Sequence, residues 1–566
     1  MDPVAGPVML FLHRMMVYMM LGLGSLLVEA LPQPCPPSCQ CYDVSKVFCS
    51  EERMQEIPAG LPGNATQLFF VETALSGLHN GALGSSTTLT KLVFLNNNIQ
   101  VLEPGTFQGL PNLTELEVSG NPLAAVSPGL LAGLPSLSKL SLGSNAIRSL
   151  EPGLFGAVSS LQDLRLQRNK IEVLPPEIFH PLRLLQTLDL SQNVVAELPP
   201  GLFAPLASLR VLKLSDNLLA QVPPGIFGGL GRLRELHLDG NRLAELPRGA
   251  FAGLGALRRL QLQHNALGSL HPAVFSCLPN LTSLSLEGNR LAALPAALFQ
   301  GTPRLLDLSV ARNRLETVPE GVFTNLSEVQ SLALSHNGLA RLPAGAFRGL
   351  SSLAALRLSH NNLSSLAPGL FAELANLAAL ALEHNRLPRL PPGLFDANEG
   401  LVRLGLAGNP WVCDCRLAYL LRWLQASADP PAHAPASCAR PAPLRGRSLL
   451  EAAGRPLPCR RAEEEEEERG DEEEDEAEDE EEDEEEVAPG RCAYRDAEGS
   501  VRAACDAAGC RRLSLRLPGR PGPGLPYRGA WVLRSRCGAL RVSGGGCEVD
   551  DGLHCQRYET VETISY

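Results

Sequence analysis

Four histidines recur at one position of a repeated pattern, directly before an asparagine, and could bind a metal or titrate near neutral pH. They are His264, His336, His360 and His384, and the last three follow one another at intervals of 24 residues. Neutral imidazole is a common metal ligand, and its pKa lies close to physiological pH. If each 24-residue unit forms one rung of a stack, the last three rings lie about 5 Å apart. We favour a solvated polar edge, with metal binding or pH sensing as the alternative.

Cysteines form the second group with chemical potential, and 14 of the 15 lie outside the repeats. Cys35, Cys39, Cys41 and Cys49 come first, as a CxxxCxC pattern with the fourth cysteine eight residues later. Such thiols can hold zinc, but a disulfide-linked cap would cover the apolar end of a repeat array and suits an oxidising compartment. The cap is therefore the preferred interpretation. The isolated Cys277 is expected to be a partly buried thiol, with an intermolecular bridge as the alternative.

The chain ends in a region with six further cysteines and short stretches of alternating apolar residues. Six cysteines permit 15 disulfide connectivities, and spacing does not choose among them. Alternation such as that of Leu513, Leu515 and Leu517 favours strands, so we predict a small disulfide-held β-rich module. The six are Cys492, Cys505, Cys510, Cys537, Cys547 and Cys555.

Sequence patterns of catalysis are missing from the chain. It has no HxxE with a distant histidine in a globular domain, no GxSxG elbow and no phosphate-binding loop.

The net charge of -12 comes from residues 463 to 486, which hold 21 acidic side chains and Arg469, whereas the remaining residues carry a net charge of +8. The acidic tract cannot collapse and is predicted to be a disordered spacer, with a mimic of an acidic ligand or a calcium buffer as the alternative. We expect no enzymatic activity, no cofactor, no metal and no nucleic-acid partner.

A 24-residue repeat positions most of these residues. Its first copy has the spacing LxxLxLxxNxL, from Leu89 through Leu92, Phe94 and Asn97 to Ile99. Alternating apolar residues predict a short strand, and a unit this small must stack on its neighbours to bury its apolar face. The asparagines are predicted to form a structural ladder that pairs buried backbone groups. They are Asn97, Asn121, Asn145, Asn169, Asn193, Asn217, Asn241, Asn265, Asn289, Asn313, Asn337, Asn361, Asn385 and Asn409.

The repeats predict an α/β-type solenoid, a leucine-rich-repeat horseshoe closed at both ends by cysteine caps. A second column, from Phe107 through the exception Leu131 to Phe395, is predicted to be core. The inner wall is expected to carry charges of both signs and no aromatic residue other than histidine. Because interface hot spots favour Trp, Tyr and Arg, docking is expected toward the C-terminal end, where Trp411, Trp423 and Trp531 lie. The alternative is that these rings are cap and module cores.

The first residues have the features of a secretory signal: Arg14, an apolar run over residues 15–28, and Ala30. The run is short for a bilayer, so we predict secretion without a membrane span.

Glycosylation sequons occur at Asn64, Asn112, Asn280, Asn325 and Asn362. The expected organisation is a signal peptide (1–30), an N-terminal cysteine cap (31–64), the solenoid (65–408), a C-terminal cysteine cap (409–461), an acidic disordered linker (462–489) and a cysteine-containing module (490–566).

The array ends in Asn409, Pro410, Trp411, Cys413, Asp414 and Cys415, with Cys438 and Cys459 beyond. This NPWxCDC pattern resembles the C-terminal cap of extracellular leucine-rich-repeat proteins, and the resemblance implies pairing of Cys413 with Cys438 and of Cys415 with Cys459. The phrases LFFVET (68–73), LTKLVFLN (89–96) and GNPWVCDCRLAYL (408–420), and the tail from Cys492 to Leu540, are similar to the family of large regulatory subunits of carboxypeptidase N. The acidic tract and the residues after Gly552 depart from that family.

This resemblance implies a non-catalytic, secreted plasma glycoprotein. Its partner would be the catalytic subunit of a zinc carboxypeptidase, carboxypeptidase N, which it would bind, stabilise and carry, in a tetramer of two heterodimers. The alternative is another secreted leucine-rich-repeat binding protein, such as a growth-factor carrier or a matrix or receptor ectodomain.

Overall fold

The computed structural model describes residues 35–43, 45–426, 436–453 and 457, and the backbone of seven strands between residues 492 and 564. The predicted signal peptide, Cys459 and the acidic tract lie outside the described residues. The chain forms two compact units, residues 1–460 and 461–566.

Short strands dominate the first unit. They are β1 (Cys39–Asp43), β2 (Lys46–Cys49), β3 (Gln67–Val71), β4 (Gly77–Leu78), β5 (Lys91–Leu95), β6 (Val101–Leu102), β7 (Glu115–Ser119), β8 (Lys139–Ser141), β9 (Asp163–Arg165), β10 (Thr187–Asp189), β11 (Val211–Lys213), β12 (Glu235–His237), β13 (Arg259–Gln261), β14 (Ser283–Ser285), β15 (Asp307–Ser309), β16 (Ser331–Ala333), β17 (Ala355–Arg357), β18 (Ala379–Ala381), β19 (Arg403–Gly405), β20 (Trp411–Val412) and β21 (Cys438–Arg440). The helices are α1 (Ala418–Ala426) and α2 (Leu449–Ala453), with 3-10 turns at Pro128–Leu131, Cys415–Leu417 and Ala442–Leu444.

Seventeen of these strands form one sheet, which begins with β1, β2, β3, β5 and β7 and continues in chain order from β8 to β19. Only the β1–β2 pair is antiparallel; β2 and β3 pair in parallel with residues 21 apart, and each later pair is parallel with residues 24 apart, such as Leu188 with Leu212. From β8 to β19 the central leucine of each strand is buried, whereas its two neighbours face the other side of the sheet. The predicted leucine-rich-repeat solenoid is confirmed.

The asparagine column connects adjacent rungs through hydrogen bonds. Asn193 Nδ2 donates to the carbonyl oxygens of Leu166, on the preceding rung, and Leu190, on its own, both at 3.0 Å. Its Oδ1 accepts the backbone N–H of Ile171 at 3.0 Å. At the start of the array Thr73 takes the equivalent place, and its N–H and hydroxyl both donate to Asn97 Oδ1. Each amide therefore satisfies backbone groups that water cannot reach.

The phenylalanine column lies in the core, on the convex half of the repeats. Consecutive rings stack with centroids 6.0 to 6.3 Å apart, for example Phe203 on Phe227. The repeats contain no α-helix: their convex side consists of turns and the 3-10 turn at Pro128–Leu131. The described α-helices lie in the C-terminal cap, so the α/β-type description applies to the cap and not to the repeats. Segments such as Leu198-Pro199-Pro200-Gly201 explain the difference, because proline and glycine disfavour a helix interior.

Disulfides occur in both caps. Cys35 is bonded to Cys41, Cys39 to Cys49, and Cys413 to Cys438. Cys415 is also disulfide-bonded, and Cys459, the partner that the family resemblance implies, lies outside the described residues. Helix α1 buries Leu420, Leu421 and Leu424 and so closes the apolar end of the array.

The second unit contains seven strands in two antiparallel groups. One comprises β22 (Cys492–Ala497), β23 (Ser500–Ala507) and β24 (Cys510–Pro518). The other has the order β27, β26, β25, β28, formed by β25 (Ala530–Ser535), β26 (Gly538–Ser543), β27 (Gly546–Val549) and β28 (Thr560–Ile564). This agrees with the predicted β-rich module.

Candidate functional site

The exposed face of the 17-stranded sheet is the concave wall of the horseshoe and the candidate binding surface. Its section from β5 to β15 carries ion pairs along and between rungs, with N–O distances of 2.9 to 3.4 Å. Hydrogen bonding to Asp163 raises the pKa of the Arg165 guanidinium above its ordinary value. Since the charges cancel pairwise, this section presents no basic stripe for a phosphate backbone. The pairs are Lys91–Glu115, Arg165–Asp163, Lys213–Asp189, Arg259–Glu235 and Arg312–Glu287.

The wall changes character from β14 onward, where small side chains replace long ones. Serine and alanine at positions such as Ser285, Ser309 and Ala333 form the floor of an open recess of about 440 Å³. Arg312, Arg357, His336, Glu287 and Asp307 stand around it. Hydroxyl groups and charges of both signs can bind polar groups of a partner, but an open recess does not exclude water as an active site does.

The histidine column lies along one edge of the wall. The rings of His336, His360 and His384 stack with centroids 4.2 and 4.3 Å apart, and their backbones have φ of 53 to 56°. The last ring packs over Gly408, where any side chain would collide with it. Among the described residues no group of three or more His, Cys, Asp or Glu could hold a metal ion. The arrangement is that of a stacked polar edge.

Partial desolvation lowers the pKa of His336, although this residue is exposed, and the positive charges of neighbouring His360 and Arg312 lower it further. The fold therefore favours neutral His336, so its contribution to stability is complete above the ordinary pKa of about 6.5 and decreases as the pH falls below it. We expect the melting temperature to fall between about pH 7.5 and pH 5.5, and to fall less in His336→Asn. Asparagine tolerates the positive φ of this position, as Asn96 does in the same column.

Differential scanning calorimetry across this pH range measures the effect, with His271→Asn as a control on the convex side, where the imidazole is exposed. Equal pH dependence in the wild type and His336→Asn would contradict the assignment.

Aromatic residues do occur on the concave wall, which corrects the prediction that histidine is the sole ring there. Phe48 on β2 and Phe69 on β3 are half-buried and face the wall, with ring centroids 6.2 Å apart. The sequence signal was the alternation Leu68-Phe69-Phe70, in which the two flanking residues are core and Phe69 points the other way.

Of the three tryptophans, Trp411 belongs to the cap core and Trp423 is half-buried and packs against that core. Trp411 is fully buried and donates its Nε1–H to the carbonyl of Leu406 at 2.9 Å. Trp423 packs on Phe395, with ring centroids 5.3 Å apart. The side chain of Trp531 lies outside the described residues. The described tryptophans therefore support the cap-core alternative and give no exposed anchor at this end.

Cys277 is a free and exposed thiol, not the partly buried one expected. The neighbouring Leu278 takes the core position, so Cys277 points outward.

Among the predicted glycosylation sites, Asn64, Asn112, Asn325 and Asn362 are exposed and Asn280 is half-buried. None of the five lies in a strand of the 17-stranded sheet. Their occupancy remains a prediction.

In the part of the chain that the structure describes, no helix has the length and apolar character needed to cross a bilayer.

Comparison with known proteins places these features in context. The family model described as Leucine rich repeat matches more than half of the chain, at residues 71–123, 87–147, 135–195, 195–243, 231–291, 279–339, 303–363, 327–387 and 351–410. Carboxypeptidase N subunit 2 of Homo sapiens is 44% identical over 152 residues, which are 26% of this chain and 28% of that protein. The Mus musculus protein is 42% identical over 159 residues and is covered to the same extent. The chain thus aligns with about a quarter of the length of these relatives.

A solved structure shares the solenoid. A leucine-rich-repeat protein of Leptospira interrogans superimposes with a TM-score of 0.58 at 29% sequence identity, over 68% of this chain and 94% of that chain. Disulfides in both caps, together with similarity to a carboxypeptidase N subunit, fit an extracellular protein.

Proposed function

Because this chain belongs to the leucine-rich repeat family, we propose that it is a non-catalytic subunit that binds, stabilises and carries the catalytic subunit of a secreted zinc carboxypeptidase. The observation that supports this most is its similarity to carboxypeptidase N subunit 2. The partnership, plasma localisation, glycosylation and an assembly of two heterodimers are parts of the proposal, because the aligned segment covers 28% of those relatives.

The structure of the first unit suits this role physically. A long sheet offers a broad wall, and broad contact can hold a folded partner without any chemistry by the wall itself. A protein that binds only the folded form of its partner stabilises it by mass action. The disulfides of both caps suit survival outside the cell.

Another extracellular binding role is the second candidate. What supports it is that the aligned segment covers only 28% of the carboxypeptidase N subunits, whereas the leucine-rich repeats extend over more than half of this chain.

Mixing the purified chain with a secreted metallocarboxypeptidase catalytic subunit tests the proposal. We expect co-elution in size-exclusion chromatography and a longer half-life of carboxypeptidase activity at body temperature. At partner concentrations about 100 times Kd, binding is worth about 2.7 kcal/mol of stability to the catalytic subunit. The chain with reduced and alkylated disulfides is the control. Separate elution with an unchanged half-life would favour the second candidate, and carboxypeptidase activity of the chain alone would contradict both.

A further inference from the structure

The first rungs of the concave wall carry an apolar patch, which we define as Phe48, Phe69, Val71, Val93 and Leu95. The sheet register places Phe48, Phe69 and Val93 side by side on β2, β3 and β5. Val71 and Leu95 are neighbours two residues further along the same strands. Adjacent strands lie about 4.8 Å apart, so these five side chains are contiguous.

The solenoid does not need these apolar groups. Residues of the alternate positions, such as Leu68 and Phe70, form the core; of the patch residues Val93 is buried, at 4% exposure, and the other four are half-buried and lie outside the apolar core cluster. At the position of Phe69 and Val93, the next four rungs carry Glu117, Ser141, Arg165 and Asp189, and these strands pair in the same way. Packing of the repeat therefore leaves the patch unexplained.

Charges beside the patch indicate the chemistry of its partner. Lys46 lies two residues before Phe48 on the same face and is exposed, with Asp43 as its neighbour on β1. Lys91 is bound to Glu115 at 2.9 Å, and its Nζ lies 5.8 Å from the centre of the Phe69 ring. Lys46 is thus an exposed positive charge beside the patch, suited to a carboxylate of the partner.

We propose that the apolar patch and Lys46 dock the catalytic subunit, through a protruding loop or helix end that presents a large apolar side chain beside an acidic one. This assignment rests on the function proposed above. A concave wall is complementary in shape to a protruding partner rather than to a flat one. Half-buried aromatic rings are typical of interface hot spots. Tyr42 extends the surface: it is 74% exposed, and its hydroxyl donates to Gln40, the residue paired with Phe48.

The test compares the affinity of the full-length chain and its variants for the purified catalytic subunit by calorimetry. Phe48→Ser with Phe69→Ser should weaken binding roughly 30-fold, as expected when hot-spot rings are truncated. The matched control is Val173→Ser with Leu184→Ser, because these side chains are 67% and 53% exposed outside the strands of the wall. The control should bind like the wild type, and thermal melting should show that both double variants are folded.

Charge reversal gives an independent measurement that leaves the apolar side chains in place. Lys46→Glu should weaken binding about fivefold, and the difference should shrink at high salt because an exposed pair is screened. Lys170→Glu, at an exposed position after a ladder asparagine, is the matched control.

Each outcome has a defined meaning. If the wild type does not bind the catalytic subunit, both the proposed function and this docking site are wrong. If the wild type binds and neither the patch variant nor Lys46→Glu differs from its control, the docking site alone is overturned. If sedimentation shows a dimer of the chain that the patch variant dissociates without loss of partner affinity, the patch joins two copies of the chain and the assignment is wrong.

Discussion

Asn217→Ala is expected to lower the free energy of unfolding by about 3 to 5 kcal/mol, because it leaves the buried N–H of Val195 without a partner and removes one of the donors from each of two buried carbonyls. Asn217 is 4% exposed. Its Nδ2 donates to the carbonyl oxygens of Leu190 at 3.0 Å and Leu214 at 3.2 Å, and its Oδ1 accepts the N–H of Val195 at 3.1 Å. Alanine cannot replace any of these bonds, and the interior is too tightly packed to admit water freely.

Asn376→Ala is the matched control for this prediction. Its Nδ2 also bridges two rungs, donating to the carbonyl of Ser351 at 2.8 Å, but this bond lies on the exposed side of the repeat. Water can replace the lost donor there, so the expected cost is below about 1 kcal/mol. Urea denaturation followed by circular dichroism measures both variants. Equal destabilisation of the two would show that burial does not set the energy of the ladder.

The solenoid could be predicted from sequence because its repeat makes the same physical demand at every rung. A leucine that faces the core and an asparagine that pairs buried backbone groups recur together, as in Leu188 and Asn193, so one rung predicts the next. The convex side was harder to predict, because the α/β-type description does not say whether its residues form helices or turns, and prolines and glycines such as those at 199–201 favour turns.

The candidate site was located less well than the fold. Counting repeats from Leu89 left β2 in the predicted N-terminal cap and β3 before the first regular repeat, although their residues continue the same rows of the wall. Phe69 lies between two core residues, and a run of four apolar side chains does not reveal which of them face outward. Conversely, Trp411 and Trp423 suggested docking because of residue type alone, whereas their burial depends on how the cap closes over the last rung.

Trp411→Ala is expected to have a similarly large effect, about 4 to 5 kcal/mol, confined to the C-terminal end of the solenoid. Its fully buried ring lies between the last repeat and the disulfide-linked cap, where Trp411 pairs with Cys438. Removing it creates a cavity and leaves the carbonyl of Leu406 without its Nε1–H donor. Since each repeat contacts only its neighbours, loss of the cap should unfold the last rungs before the first ones.

Limited proteolysis of Trp411→Ala should therefore cut first near the last rungs, while residues around β5 stay protected. Trp411→Phe serves as the control, because it keeps most of the ring volume and loses mainly the hydrogen bond, at a cost of about 1 to 2 kcal/mol.

The same variant also distinguishes docking at the C-terminal cap from docking on the first rungs of the wall. If Trp411→Phe is folded yet binds the catalytic subunit much more weakly, the C-terminal cap takes part in docking; unchanged affinity is expected if the partner is held at Phe48 and Phe69, on the first rungs of the wall.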